Sequence, residues 1–142
     1  MNNFRLEELV SKEVYELLGD RAWLLLDMSL LRDLDKFVTD LKSDTNCTAV
    51  IINDWLWGGN FNQSGFREHS SEVGAKGSWH REGGGDDLKF KGITALEAYN
   101  YLRKKQFKYP AIKRVENPEV TKTWLHIDSK SGFGPGLYKF NP

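Results

Sequence analysis

Apolar residues recur at helical spacing along three segments of the chain. Over residues 5–18, Leu6, Leu9, Val10, Val14, Leu17 and Leu18 share one face and Gly19 supplies a stop, which predicts an amphipathic helix. Over residues 23–41 the series Leu26, Leu30, Leu34, Phe37, Val38 and Leu41 does the same, with Arg32, Asp33, Asp35 and Lys36 opposite, and predicts a second helix. TALEAYNYLRKKQ, residues 94–106, opens on Thr94 with Glu97 three positions on, the reciprocal capping pair of a third helix. TAVIIND, residues 48–54, is short, β-branched and followed by Gly58 and Gly59, which predicts a strand. AIKRVE and TWLHID alternate on either side of NPEVTK, whose Asn117 and Pro118 supply a turn, and predict an antiparallel hairpin. The Gly- and Pro-rich tail SGFGPGLYKFNP predicts irregular surface chain. Helices that precede and interrupt strands without a βαβ rhythm indicate an α+β fold, with N-terminal helices packed on a small antiparallel sheet.

Length and charge narrow the possibilities. The 142 residues suit one domain, residues 1–142, whose motifs serve one site. Twenty basic residues balance twenty acidic ones, so no overall electrostatic footprint for nucleic acid or an anionic membrane is expected. The basic cluster RKKQFK, residues 103–108, reads as the last turn of the third helix, where cations favour the helix dipole. Cys47 is the only cysteine; it has no partner for a disulfide, zinc finger or redox pair and reads as a small buried hydrophobe. The N-terminal segment carries charges throughout, unlike a secretory signal, and no segment approaches the length of a membrane span. These features predict a monomer made in the cytoplasm without a signal peptide, which reaches an external target only through export by another agent or lysis.

Candidate chemistry gathers in SWHREGGGDD, residues 78–87, where a histidine and two aspartates flank three glycines. Three consecutive glycines raise the entropy cost of ordering, so the segment is either a loose loop or a bend that brings those side chains to one point. Zinc takes imidazole nitrogen and carboxylate oxygen, and a catalytic site uses three protein ligands with one position left open. His80 and Asp87 supply two. Of the remaining histidines, His69 lies in the polar segment EHSSE, whereas His126 sits in the alternating segment WLHID, where a strand holds a ligand rigidly. Arg67 in QSGFRE offers a guanidinium that forks onto a carboxylate or supports an oxyanion. Trp55 and Trp57 in NDWLWGG read as buried core, with a place in a cleft beside Arg67 as the alternative.

These residues carry a resemblance. S-G-F-R at 64–67, then Ser78, His80, Gly83 and Asp87, then W-L-H-I-D at 124–128 is similar to the ordered motifs of the zinc D-Ala-D-Ala carboxypeptidases and endolysins of peptidase family M15. Gly85 stands where that family has an alanine, and FRLEELV near the N-terminus resembles the family's opening element. The resemblance spans nearly the whole chain. It implies the fold shared by DD-peptidases and Hedgehog domains, with zinc on the sheet held by His80, Asp87 and His126. It further implies that Arg67 faces the scissile carbonyl or a substrate carboxylate, with Ser78 also in substrate binding. The implied substrate is the stem peptide of bacterial peptidoglycan, cut after lysis or phage release. The glycines would let the chain turn between two ligands, with Trp79 and Leu88 anchoring its flanks in the core.

The sequence departs from the family at the general base. Many members carry an acid three residues before the last histidine, and Thr123 occupies that position here. Glu116, on the partner strand of the predicted hairpin, shares the metal-facing side in some registers; in others it is an exposed hairpin carboxylate. Glu116 is therefore the expected general base, and Asp128, two residues beyond His126 and on the same face, the expected orienter of a ligand histidine. Loss of the acid at Thr123 also leaves open a zinc-binding but catalytically silent domain that recognises cell-wall peptide or serves in a phage particle; a metal-free protein is the third alternative.

Overall fold

The computed structural model describes residues 1–70, 72 and 77–142. Its first predicted helix is divided in two. α1 is the single turn Leu6–Leu9, and α2 spans Lys12–Leu18, because the Ser11 hydroxyl accepts from the Val14 amide and caps a new helix. Val10, between them, is extended and bridges in parallel to Phe66. The second predicted helix begins later than its apolar spacing suggests. Residues Gly19–Leu25 form a 3₁₀ turn, then the Asp27 carboxylate caps α3, Met28–Asp44, by accepting from the amides of Ser29 and Leu30. Asp33, expected on the solvent face of that helix, is buried and accepts from the Ala111 amide at 2.7 Å.

β1, Ala49–Ile51, lies within the predicted strand, and α4, Ala95–Lys105, carries the predicted Thr94–Glu97 capping box. β2, Gly85–Lys91, was not expected, since the glycine run masks the start of its alternation. β3, Arg114–Glu116, and β4, Leu125–Asp128, form the predicted antiparallel pair. The tail is not irregular throughout: β5, Tyr138–Phe140, adds to the sheet in parallel beside β3. Strand order is β1-β2-β4-β3-β5. The fold is α+β as expected, but the sheet is five-stranded and mixed where a small antiparallel one was predicted.

Alternation along the strands divides the sheet into two chemistries. Leu88, Val115, Leu125 and Ile127 are fully buried in one cluster with Leu34, Phe37, Val38 and Leu41 of α3 and Ala98 and Leu102 of α4. Each such aliphatic burial contributes about 1.5–3 kcal/mol. The intervening positions Asp87, Arg114, Glu116, His126 and Asp128 therefore point to the face away from those helices. Register then aligns them. Asp87 pairs with His126, Arg114 with Asp128, and Val115 with Ile127, a register that carries Glu116 alongside His126; Glu116 in turn pairs with Phe140. Asp87, His126, Glu116 and Phe140 thus form one row across four strands.

Candidate metal centre

Two close backbone approaches bring His80 over this row. Gly65 packs so tightly against the end of α1 that any Cβ would collide with the Leu9 carbonyl, and its own carbonyl oxygen receives His80 Nδ1 at 2.8 Å. Gly83, at φ 71°, ends the 3₁₀ turn Trp79–Glu82 and abuts the Leu25 carbonyl, while its oxygen accepts from the Asp27 amide. The sharp bend predicted between His80 and Asp87 is therefore present, but Asp87 itself lies within β2. Further bonds tie the SGFR segment to both ligand-bearing elements: the Asp87 amide donates to the Ser64 carbonyl and the Arg67 amide to the His80 carbonyl.

Three side-chain atoms converge. His80 Nε2 lies 3.2 Å from Asp87 Oδ1 and 3.1 Å from His126 Nδ1, and the latter two are 2.9 Å apart. Zinc bonds of about 2.0–2.1 Å at tetrahedral angles place ligand atoms ~3.3 Å apart, so the triangle fits such an ion with little adjustment. The outer atoms are engaged elsewhere. His80 donates from Nδ1 to Gly65, and His126 donates from Nε2 to Asp128 Oδ2 at 3.0 Å, which directs the opposite ring nitrogen of each inward. Asp87 Oδ2 accepts from Arg67 Nη2 at 2.9 Å, leaving Oδ1 toward the triangle. His80, Asp87 and His126 could together hold a metal ion.

Asp128, the expected orienter of His126, is fully buried and accepts from its Nε2. Arg114 donates to it from Nε at 2.8 and 3.1 Å and from Nη2 at 2.6 Å, and the Lys130 amide donates at 2.9 Å. The Arg114 guanidinium is itself sandwiched by Phe133 and Phe140, 5.1 and 4.5 Å from the ring centres. Phe140 also stands edge-on to His126 at 5.9 Å.

Burial alone would raise Asp87, but hydrogen bonds from His126 and His80 hold its carboxyl far below the usual carboxylate range. Burial would likewise lower His126, yet the carboxylates of Asp128 and Asp87 push it up to about 9. Burial keeps His80 below its ordinary value, against the pull of Asp87. His80, Asp87 and His126 would hold such an ion only with His126 Nδ1 deprotonated, so metal and proton would compete for that nitrogen. Glu116 is raised, chiefly by desolvation and secondarily by Asp87, with His126 acting the other way.

The triangle forms part of the wall of a cleft of about 440 Å³. Arg67, Ser78, Glu116 and the three residues of the triangle all line it, whereas Asp128 lies beneath. Arg67 is nearly buried, with Nη2 on Asp87 and Nε on the Gln63 carbonyl, so its contacts serve a ligand side chain. His69 is exposed, 4.0 Å from Glu82, and takes no part in the triangle. Leu88 is core as expected, but Trp79 forms the rim, its indole donating to Ser129 Oγ. Trp55 and Trp57 are not core: Trp57 is exposed and Trp55 is half-buried, donating to the Val10 carbonyl. Cys47 is buried, as expected. Arg114, Trp124, Lys130 and Phe140 also line the cleft, beyond the residues expected there. Alternation with Glu116 and His126 could have placed Arg114 and Trp124 there; Phe140 had no such signal inside a Gly/Pro-rich tail.

Comparison with protein-family models, with curated proteins and with solved structures gave no match to this chain.

Proposed function

We propose that this chain is a zinc-dependent peptidase that hydrolyses the stem peptide of bacterial peptidoglycan, in the manner of the M15 family whose motifs it resembles. One observation carries the reading: His80, Asp87 and His126 present three ligand atoms in a cleft wall, with an acid, Glu116, in the adjacent register position. Zinc, when bound, supplies Lewis acidity and brings the pKa of water toward neutrality. The chain's own groups do the rest. Glu116, partly desolvated and raised above its ordinary value, takes the proton from the attacking water and returns it to the departing amine. Its place beside His126 substitutes for the acid missing at Thr123, which is exposed ahead of β4. Arg67 holds Asp87, and Asp128 holds His126, so neither ligand swings during turnover. On this reading the substrate is met after lysis or phage release.

The deciding experiment incubates purified peptidoglycan fragments with the zinc-loaded and the chelator-stripped protein and follows product masses. Cleavage at one peptide bond, lost on stripping and restored by zinc, is the expected outcome. Zinc binding without cleavage of any fragment would replace the peptidase with a silent recognition domain.

A further inference from the structure

The cleft holds three cationic side chains, and two are already matched. Arg67 is engaged by Asp87, and Arg114 by Asp128. Lys130 is different: among the described residues no carboxylate lies within ion-pair distance of its ammonium group, which stands over the Trp79 ring at 5.3 Å from its centre. A face-on cation contact of this kind holds a flexible lysine in place without neutralising it. The Lys130 amide is bonded to Asp128, and Trp79 directly precedes His80, so both partners are anchored to the metal triangle's supports.

Chain direction gives the cleft a polarity. β4 runs from Leu125 to Asp128, so Trp124 lies at one end, His126 with Glu116 in the middle, and Lys130 beyond the other end.

We propose that Lys130, pinned over Trp79, is the specificity-determining residue of the cleft and receives a free carboxylate of the bound peptide, on the Trp79 side of the bond aligned with His126 and Glu116. The assignment rests on the peptidase reading for its reaction but not for its binding chemistry. It moves carboxylate recognition away from Arg67, whose Nη2 donates to Asp87 and whose Nε donates to the Gln63 carbonyl. The favoured substrates are then peptides that present a free carboxylate beside the cut, at the chain end or on an acidic side chain, over neutral chains.

The test titrates an N-acetylated Lys-D-Ala-D-Ala peptide and its C-terminal amide into the full chain by calorimetry, with and without zinc, and follows cleavage of both separately. The wild-type protein is expected to bind the acid about tenfold more tightly than the amide, the worth of one charge-assisted hydrogen bond. Lys130→Met, which keeps the stem on Trp79, loses that preference, and Lys130→Arg retains it. Equal affinity for acid and amide, no binding of either, or a preference undiminished in Lys130→Met overturns the assignment. A Lys130-dependent preference supports it whether or not the probe is cut, because the peptidoglycan-fragment digest decides the peptidase reading separately; cleavage of both probes with no preference supports the peptidase reading and overturns the assignment.

Discussion

Asp87 on β2 and His126 on β4 are directly paired across the sheet, with Oδ1 and Nδ1 2.9 Å apart, although 39 residues separate them. Each also carries a partner on its far side, Arg67 for the carboxylate and Asp128 for the imidazole. The pair therefore presents its ligand atoms through fixed neighbours rather than through free rotamers, which is the arrangement metal sites need.

Removing one corner of the triangle is expected to abolish stoichiometric metal binding. His126→Ala is expected to lower zinc content from about one per chain to a small fraction, since two remaining ligands do not complete a protein zinc site. Elemental analysis after dialysis checks this, with circular dichroism to verify folding.

The acid beside His126 separates binding from chemistry. Glu116→Gln is expected to retain zinc and to lower the turnover of peptidoglycan fragments by about 10²–10⁴-fold, the usual contribution of a general base. Full turnover in this variant would remove Glu116 from the mechanism.

Support behind a ligand is measurable as affinity. Asp128→Asn and Arg114→Met each weaken the hold on His126 Nε2 and are expected to reduce zinc affinity by roughly 10–100-fold, read by competition with a chelator.

Acidity acts on the triangle in two opposite ways. Because His126 is pushed up to about 9, a proton competes with the ion, and apparent zinc affinity should rise with pH until about that value, roughly tenfold per unit. Without metal the same raised group contributes stability that is fully present below its ordinary 6.5 and is lost as pH rises through about 9. Denaturation of the stripped protein across this window should therefore show falling stability while zinc binding strengthens.

Gly83 is a backbone requirement. Gly83→Ala forces a side chain into the left-handed region at φ 71° and against the Leu25 carbonyl, at an expected cost of about 2 kcal/mol or more. A lowered urea midpoint with unchanged slope is the signature.

Much of this arrangement is written in local pattern. Helical spacing marks the core face of α3, the Thr94–Glu97 pair marks the start of α4, and alternation in WLHID places His126 and Asp128 on one face, because these signals depend only on neighbours a few residues away. The break at Ser11 is also local, but there apolar periodicity and capping compete, and the need of Val10 to bridge Phe66 settles the outcome. Tertiary structure alone decided that Glu116 lies beside His126, that Arg67 turns to Asp87, and that Phe140 returns in a parallel strand to face His126. A strand's own sequence specifies which residues share a face, whereas the partner and register are chosen by packing across the whole sheet.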